Sequence, residues 1–441
     1  MKLVSHPPTP LGPTLDALPF LLHPQGPIVA LEPQPVASNE PAYWHWHAEV
    51  LGTLPGRPPT MAAGGSSPDR DIALAKAIGE AVERYSIMAY SPTVKLSTAA
   101  ALGDEAPPVD RFDLFDAVQR ANPAFPFSRL AEDSEVGWVE GFSLTERRRK
   151  FVPATLAHLY YESRTAADGF DLCPVSGYAA GATVEEALLG AVCEVVERDS
   201  LMLSWCLRLP LPALDLASFR SPAIAEALAC FAPAPVRLYC SAMASDSGIP
   251  AVLAMAVSDD PEWPAASIAT AADLSAEKAV LKALGELSSG HLLIRGQLAA
   301  GRRYPASAVQ VIKPEDHGLF YARPYNLLHL DLLLRPRSTV SAADVATEWR
   351  GDDVLHNLEA CVARLAARGL EPIALDVTDW TMKALGFHVV KVVVPGMHPI
   401  DFGRDWRHLG GARLRSAPSA AGFTTFATEL AGMNPWPHPL P

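Results

Sequence analysis

The chain has 441 residues, of which 49% are hydrophobic, and carries a formal net charge of −13 at pH 7. This apolar content in a chain of this length supports a substantial core and excludes global disorder. The acidic balance argues against binding to a nucleic-acid backbone. The sequence has no apolar run of membrane-spanning length and no signal-peptide region near its proline-broken start, so we predict a cytoplasmic protein without membrane contact.

Residues 1–60 are rich in proline, which interrupts long helices and favours short strands or an extended arm. We interpret this segment as an N-terminal arm that docks a partner protein. Within it, Tyr43–Val50 alternates in polarity and is rich in aromatic residues, which predicts a strand. His45 and His47 share one face of that strand, where two histidines more often flank a sheet than bind a metal.

A catalytic domain is predicted over residues 61–400. Near its start, Gly64–Ser67 (GGSS) precedes a helix that we expect to begin near Pro68–Asp71. A Gly/Ser turn at a helix N-terminus can present backbone amides and the Ser66 hydroxyl to a phosphate group. An ordinary loop that ends in a helix cap explains the same residues equally well.

The segment Thr183–Trp205 predicts a long helix that is apolar on nearly every side. Thr183 and Glu186 have the spacing of a capping box. Glu186 and Glu197 project within roughly 20° of each other around the helix axis, and Glu194 lies near the same stripe. Acids on an otherwise apolar helix resist desolvation unless cations lie among them.

The acidic pattern of this helix occurs twice in the chain. The motif Glu-x-x-Glu-Arg is found at Glu80–Arg84 and, 114 residues later, at Glu194–Arg198. A weaker third relative places Lys282 four residues before Glu286 in another Ala/Leu-rich segment. One such motif alone is typical of a solvated ion pair, but its duplication within apolar helices indicates a shared pocket. Carboxylates and cations in one pocket suit Mg²⁺ bound to a polyphosphate.

Further strands and helices are predicted after the second motif, and together they indicate sheets covered by helices. The predicted strands are Val236–Tyr239, Ala251–Val257, 372–377 and 388–396, and the predicted helices are Lys278–Leu298 and Leu355–Arg368. Asp376, Asp379 and Lys391 can line the pocket, although residues at sheet ends more often have structural partners.

Residues 401–441 form a predicted C-terminal extension that ends in PWPHPLP. Alternating prolines hold the backbone near polyproline II and leave it little entropy to lose on binding. Such a rod can enter a pocket and bring its terminal carboxylate there. A floppy exposed terminus, or a ligand for a proline-binding module, is the alternative.

Four segments together resemble the YcaO-domain family of ATP-dependent enzymes: GEAVERYS (79–86), GYAAGATVEEALLGAVCEVVERD (177–199), KALGE (282–286) and VVKVVVPGM (389–397). The resemblance covers most of the chain from Gly64 to Met397. It implies an α+β fold of the YcaO type, in which helices that carry Glu-x-x-Glu-Arg pack on mixed and antiparallel sheets around an ATP site.

The resemblance also implies roles for individual residues. Six acids would ligate two Mg²⁺ ions, namely Glu80, Glu83, Glu186, Glu194, Glu197 and Glu286. Three cations, Arg84, Arg198 and Lys282, would contact the phosphates of the nucleotide, and Ser66 is a further candidate contact. Two positions depart from the family pattern, because Lys282 replaces the usual Arg and Gly190 replaces a frequent Gln.

Within this family, a terminal Pro-x-Pro-x-Pro is typical of the azoline-forming cyclodehydratases of ribosomal peptide biosynthesis. The resemblance therefore implies an ATP- and Mg²⁺-dependent cyclodehydratase subunit. It would convert Cys, Ser or Thr of a precursor peptide to thiazolines or oxazolines by phosphorylating the backbone amide oxygen. Formation of thioamides or amidines, or a non-catalytic accessory role, are the alternatives. The Pro441 carboxylate and His438 are the candidate proton acceptors.

The resemblance to the split cyclodehydratases implies partner proteins as well. The segment before Gly64 leaves no room for an E1-like domain that recognises the leader of the precursor peptide, so we expect a separate leader-recognising partner. An FMN-dependent azoline dehydrogenase is a further candidate partner. We expect a homodimer within a hetero-oligomer.

Overall fold

The computed structural model describes residues 2–52, 54–172, 175–347, 349–351, 353–403 and 406–440 of the chain. Within these ranges, no helix combines the length and the apolar character needed to cross a membrane. Strands and helices are numbered β1–β14 and α1–α14 in chain order.

The described strands form three sheets. The first is antiparallel and contains β1 (Ile28–Pro33), β2 (Trp44–Leu51) and β3 (Thr60–Ser67). The second has the order β4-β5-β13-β14-β7, with β6 beside β5, and contains β4 (Lys95–Ser97), β5 (Val136–Ser143), β6 (Arg149–Pro153), β7 (Tyr178–Gly181), β13 (Ile373–Asp376) and β14 (His388–Val393). The third has the order β11-β10-β9-β8-β12 and contains β8 (Ala213–Leu214), β9 (Arg237–Ala242), β10 (Ala251–Val257), β11 (Ala266–Ala272) and β12 (Thr339–Val340).

The longest helices are α3 (Arg70–Ala89), α7 (Val184–Cys206), α9 (Ala276–Ala299) and α12 (Val354–Ala366). The shorter α-helices are α1 (Gly12–Asp16), α2 (Leu18–Leu21), α4 (Ala99–Leu102), α5 (Ala117–Arg120), α6 (Ala154–Ala157), α8 (Pro222–Ala229), α10 (Pro314–Tyr321), α11 (Asp331–Leu334), α13 (Trp380–Ala384) and α14 (Arg413–Ala420). Short 3₁₀ helices cover Gly103–Glu105, Val109–Phe112, Ala166–Asp168, Leu216–Phe219, Ala308–Gln310, Pro324–Leu330 and Leu430–Gly432.

Helix α7 lies between the second and third sheets, because it packs on β7 and β14 of one and on β10 and β11 of the other. Its apolar surface on all sides is typical of a helix that is enclosed by other elements. Strand β10 is buried along its whole length, and its alternate residues serve two cores. Leu253 and Met255 join the core around α7, whereas Val252 and Ala254 join the core around α9. The third sheet therefore has α7 on one face and α9 on the other.

Helix α3 packs on β2 and β3 and also contacts β7 and β14. Its N-terminus is capped by the Asp69 side chain, which accepts hydrogen bonds from the Asp71 and Ile72 amides, each at 2.9 Å. The turn predicted at Gly64–Ser67 is wrong, since these residues form the end of β3 and pair with β2. Small residues fit there because an added Cβ at Gly65 would lie only 2.2 Å from the Ala73 carbonyl oxygen of α3.

The predicted α+β class is confirmed, with antiparallel pairing throughout the first sheet and a parallel β8–β12 pair in the third. The domain boundary predicted at residue 60 falls at the start of β3, inside one sheet, because β1 and β2 pair with each other and with β3. Residues of the predicted C-terminal extension also enter the main core, since Leu414 and Leu440 pack in the core around α7.

The predicted helix Thr183–Trp205 agrees closely with α7. The Thr183 hydroxyl caps the helix by accepting a hydrogen bond from the Glu186 amide at 3.2 Å. The reciprocal half of the predicted capping box is missing, because the Glu186 carboxylate instead accepts a hydrogen bond from the Thr9 amide at 2.6 Å.

Candidate active site

Five of the six predicted metal-binding acids come together where α3, α7 and α9 meet. We call Glu80, Glu83, Glu194, Glu197 and Glu286 the acid cluster. Glu83 of α3 interacts electrostatically with Glu194 of α7, and Glu286 of α9 interacts with both Glu80 and Glu194. The duplicated motif thus brings two similar helices to one place.

Each copy of the motif forms the same pair of ion pairs. In α3, the Arg84 guanidinium lies 3.0 Å from Glu80 Oε1 and 3.7 Å from Glu83 Oε1. In α7, the Arg198 guanidinium lies 3.0 Å from Glu197 Oε1 and 3.7 Å from Glu194 Oε1. One arginine therefore holds two carboxylates in each helix.

Backbone and hydroxyl groups restrain three of these acids further. The Gly64 amide donates to Glu80 Oε2 at 2.8 Å, and the Gly177 amide donates to Glu194 Oε2 at 3.1 Å. The Thr270 hydroxyl of β11 donates to Glu197 Oε1 at 2.6 Å. These contacts orient the carboxylates before any ligand arrives.

Burial of the cluster disfavours the charged form of its carboxyl groups. It raises the pKa of Glu83 to about 8, even though Arg84 opposes the shift, and raises the pKa of Glu197 to about 7 against the opposition of Arg198. Burial also raises the pKa of Glu286. A bound cation would stabilise the charged form of these carboxyl groups, so the site favours the binding of cations.

Two lysines add positive charge at the edge of the cluster. Lys76 of α3 donates to the Ser66 carbonyl oxygen at 3.0 Å and interacts electrostatically with Glu286. Lys76 was missed from the sequence, although its position four residues before Glu80 places it on the same face of α3. Lys391 of β14 is fully buried, donates to the Ser176 carbonyl oxygen at 2.5 Å and interacts electrostatically with Glu83.

The structure places two predicted phosphate contacts in other interactions. The Ser66 hydroxyl is buried and donates to the Gly285 carbonyl oxygen at 2.8 Å, so Ser66 ties β3 to α9 rather than facing a ligand. The Lys282 side chain is exposed, its amine lies 2.6 Å from Asp273 Oδ2, and it also interacts electrostatically with Glu197. Arg84 and Arg198 form ion pairs within the cluster, and the phosphate contact of Lys282 stays a prediction.

Glu186 lies eight residues before Glu194 on α7, which corresponds to about 12 Å along the helix axis. Its carboxylate receives the Thr9 amide, and the adjacent Glu185 receives the Val4 amide at 2.5 Å. The metal-binding role of Glu186 stays a prediction.

The donor set fits Mg²⁺ together with a polyphosphate better than it fits a bare metal ion. Within the described ranges, no three His, Cys, Asp or Glu side chains converge tightly enough to hold a metal ion by themselves. Mg²⁺ in nucleotide sites takes one or two carboxylates and fills its remaining positions with phosphate and water oxygens. The carboxylates of the cluster supply oxygen ligands for Mg²⁺, and the two arginines supply positive charge for the phosphates.

The C-terminal tail is buried beside the second half of α7. Pro437, His438, Pro439 and Leu440 are all buried, whereas Pro441 lies outside the described residues. His438 Nε2 donates to the Asp401 carbonyl oxygen at 2.5 Å, and its ring stacks on His317. Burial lowers the pKa of His438 well below its usual range, and the charges of His317, Arg407 and Arg198 contribute to the same shift. The tail therefore runs within electrostatic reach of the acid cluster.

The two strand histidines of the N-terminal segment have structural surroundings. His45 is buried, and its Nε2 lies 3.1 Å from the Ser288 hydroxyl of α9. Burial lowers the pKa of His45 to about 4, which keeps its imidazole neutral. This pairing joins the first sheet to α9.

The fold of this chain is similar to the folds of several solved structures. A heterocyclase determined in complex with substrate and cofactor matches with a TM-score of 0.82 and 25% identity, over 100% of this chain and 59% of that chain. The heterocyclase TruD matches with a TM-score of 0.68 and 26% identity, over 100% of this chain and 55% of that chain. The YcaO protein of Methanopyrus kandleri bound with AMPPCP and Mg²⁺ matches with a TM-score of 0.64 and 21% identity, over 88% of this chain and 92% of that chain. The chain thus spans less than two thirds of the two heterocyclase chains.

The family comparison covers the same elements that build the acid cluster. Residues 64–398, from the end of β3 to the loop after β14, match the family described as YcaO cyclodehydratase, ATP- and Mg²⁺-binding. The matched range includes both Glu-x-x-Glu-Arg helices and α9. The chain belongs to the YcaO cyclodehydratase family.

Proposed function

We propose that this protein is the ATP- and Mg²⁺-dependent cyclodehydratase subunit of a system that modifies a ribosomally made precursor peptide. Cys, Ser or Thr residues of that peptide become thiazolines or oxazolines. The observation that carries the proposal is the convergence of five carboxylates, Arg84 and Arg198 in one half-buried cluster, with the C-terminal tail inserted within electrostatic reach of Arg198.

The acid cluster holds Mg²⁺, and Arg84 and Arg198 contact the phosphates of ATP. When bound, Mg²⁺·ATP supplies a transferable phosphoryl group whose charge is neutralised by the metal. The two arginines already pair with the acids, so they remain oriented whether or not nucleotide is present. Lys76 and Lys391 add positive charge on either side.

The reaction that fits this site joins a side-chain nucleophile to the preceding amide. The sulfur or oxygen of Cys, Ser or Thr attacks the carbonyl carbon and gives up its proton, and the carbonyl oxygen takes up the γ-phosphoryl group of ATP as ADP leaves. Loss of phosphate and of the amide proton then leaves the azoline ring. The cations of the site stabilise the charge that develops on oxygen.

A proton acceptor is also required, and the tail supplies the candidates. His438 Nε2 donates a hydrogen bond to the Asp401 carbonyl oxygen, while His438 Nδ1 has no hydrogen-bond partner among the described residues. Nδ1 therefore retains a lone pair for a proton. The terminal carboxylate of Pro441 is the other candidate.

The direct test combines the purified protein with the precursor peptide encoded beside its gene and with the partner proteins encoded there. We expect ATP consumption and a mass loss of about 18 Da per ring, as dehydration requires. Glu197→Gln abolishes both, whereas Glu262→Gln, at an exposed position, leaves both unchanged. A mass gain of about 16 Da would instead indicate oxygen-to-sulfur exchange through the same phosphorylated amide.

The proposal extends to partners. An E1-like protein presents the leader of the precursor peptide, and an FMN-dependent dehydrogenase oxidises the azolines where the pathway requires azoles. The protein acts as a homodimer within this hetero-oligomer, in the cytoplasm. Co-purification followed by light scattering measures the assembly, and turnover by this chain alone that depends on the leader would contradict the requirement for a partner.

A further inference from the structure

A cavity opens beside α7, next to the acid cluster. Its cavity volume is about 60 Å³, and its wall includes Val195 and Arg198 of α7, Lys391 of β14, and the loop that carries Met397 and His398. We call it the side cavity.

The side cavity shares two cations with the candidate active site. Arg198 pairs with Glu197 and also lines the cavity. Lys391 interacts with Glu83 and lines the same cavity. If the carbonyl oxygen of a peptide residue receives a phosphoryl group beside these cations, the Cα of that residue lies next to the same carbonyl carbon. Its side chain is then within reach of the cavity.

Most of the remaining wall is apolar, including Leu114, Leu156 and Met397. Four polar or charged residues interrupt it, namely Arg111, Asp171, Ser176 and His398. His398 is only 1% exposed, and neither of its ring nitrogens has a partner at full hydrogen-bond geometry among the described residues, although the His408 backbone acts on its pKa. The Ser176 hydroxyl also has no hydrogen-bond partner among these residues. Buried polar groups in native proteins are nearly always paired, so unpaired ones indicate a missing partner.

The imidazole of His398 is suited to a peptide backbone. Burial lowers the pKa of His398 to about 3, and the nearby charges of His408 and Arg413 act in the same direction. The ring is therefore neutral and offers one N–H donor and one lone pair. A peptide unit offers the complementary carbonyl and amide groups. The His398 amide itself donates to Asp199 Oδ1 at 2.9 Å, which fixes the loop against α7.

We propose that the side cavity binds the apolar side chain of the precursor-peptide residue that immediately precedes the Cys, Ser or Thr to be cyclised, and that His398 hydrogen-bonds to the backbone of that residue. This assignment rests on the proposed function and adds a substrate preference to it. Peptides with an aliphatic residue before the reacting one are favoured over peptides with a lysine or arginine there, because most of the wall is apolar and Arg111, Arg198 and Lys391 already bring positive charge to it.

Photolabelling tests the assignment without requiring turnover. The protein with Mg²⁺ and AMPPCP is irradiated in the presence of acetyl-photoleucine-Cys-Gly-amide, and adducts are mapped by mass spectrometry. We expect adducts on cavity residues such as Leu156 and Met397, and competition by acetyl-Leu-Cys-Gly-amide. The matched control, acetyl-Gly-Cys-photoleucine-amide, carries the label after the cysteine and should not mark the cavity. Adducts only elsewhere, equal marking by both peptides, or no adducts overturn the assignment.

Variants of His398 test its hydrogen bond. His398→Leu should lower the labelling yield roughly fivefold to tenfold, which is the effect of losing about one hydrogen bond. His398→Gln, which keeps a donor and an acceptor, should retain part of the yield, and both variants should bind AMPPCP as the wild type does. Wild-type labelling by His398→Leu, or loss of AMPPCP binding in it, would overturn the role of His398.

The outcomes separate this inference from the proposed function. Dehydration of a precursor peptide by a protein whose cavity is never labelled would overturn the subsite alone. Labelling of the cavity in a protein that dehydrates no peptide with its partners present would overturn the proposed reaction instead.

Discussion

At the scale of single residues, four of the five carboxylates of the cluster are held before a ligand binds. Glu80 and Glu194 each receive a glycine amide, Glu197 receives the Thr270 hydroxyl, and one arginine spans each acidic pair. This arrangement costs stability, because the carboxylates are desolvated beside one another. Removing one of them should therefore stabilise the free protein and weaken the binding of its ligand.

The substitution Glu83→Gln tests whether the free protein gains stability while it loses affinity for its ligand. The pKa of Glu83 is raised by burial to about 8, so ionisation of this side chain near pH 8 opposes folding. We expect the variant without ligand to gain about 1–3 kcal/mol at pH 8 while it loses most of its affinity for Mg²⁺·ATP. Chemical denaturation measures the first effect and calorimetric titration the second. A variant that is destabilised and still binds Mg²⁺·ATP would contradict the assigned role.

Gly177 is a second position of interest, because the local backbone geometry requires a glycine there. Its φ of +86° lies in the left-handed region, and an added Cβ would lie 2.4 Å from the Val392 carbonyl oxygen. Gly177→Ala should cost roughly 1–3 kcal/mol and also displace the amide that restrains Glu194.

The matched control for this substitution is Gly79→Ala. Gly79 lies within α3, and nothing surrounds its added Cβ within 4 Å, so we expect this variant to be as stable as the wild type or more stable. Urea unfolding of both variants compares them directly. Equal losses of stability would show that the strain assigned to Gly177 is not the cause.

At the scale of elements, side chains of α7 and α10, together with Arg407, hold the C-terminal tail in place. Prolines leave the tail few amide donors, and successive tail carbonyls are instead bound by side chains from other elements. The donors are Arg407 to the Asn434 carbonyl at 2.7 Å, Trp205 to Trp436 at 2.9 Å, Tyr321 to Pro437 at 2.7 Å and His317 to His438 at 2.7 Å. The donors His317 and Tyr321 act through contacts distant in the chain, which sequence patterns do not reveal.

Tyr321→Phe removes one of these donors and nothing else. We expect the cyclisation rate to fall roughly tenfold, because loss of a buried hydrogen bond lets the tail shift, while the affinity for Mg²⁺·AMPPCP changes less than about twofold. Single-turnover kinetics and nucleotide titration give the two values. Tyr325→Phe, at a side chain that is 72% exposed, is the control. An unchanged rate in Tyr321→Phe would show that this contact serves the fold alone.

The meeting of the two motif helices was predictable from the sequence, because the exact repeat of two acids and an arginine inside apolar segments leaves few alternatives. The hydrogen bond between Thr9 and Glu186 was not, since the sequence does not show that the N-terminal segment lies beside α7. Ser66 was assigned to a turn because Gly and Ser are typical of turns, whereas the close approach of α3 to β3 requires small residues in a strand. The burial of Lys391 could not be predicted from the sequence, because it depends on the pairing of β14 with β7.

At the scale of the whole molecule, the C-terminal extension is locked to the main body by buried charges. Arg413 pairs with Asp199, next to Arg198 on α7, at 2.6 Å and with Asp246 at 2.7 Å. His408 Nε2 lies 3.0 Å from Asp171 Oδ1. These pairs lie between the extension and elements that carry the acid cluster or line the side cavity, so the docking of the extension and the integrity of the site are coupled.

His408 makes this docking dependent on pH. Burial alone would lower its pKa, but the carboxylates of Asp171 and Asp401 raise it above the ordinary value of 6.5, with His398 as the neighbouring neutral ring. Because the folded protein holds this proton more tightly than the unfolded chain, its contribution to stability is complete below pH 6.5. That contribution is lost as the pH rises through the pKa of the folded state.

We therefore expect His408→Gln to be less stable than the wild type at pH 6, with a difference that shrinks as the pH rises to about 9. Denaturation midpoints across this range, compared with those of His23→Gln at an exposed position, give the measurement. A constant difference at every pH would mean that His408 acts through packing against Phe115 rather than through its charge. A difference that grows with pH would reverse the sign of the coupling and show that the Asp171–His408 contact is formed by the neutral ring.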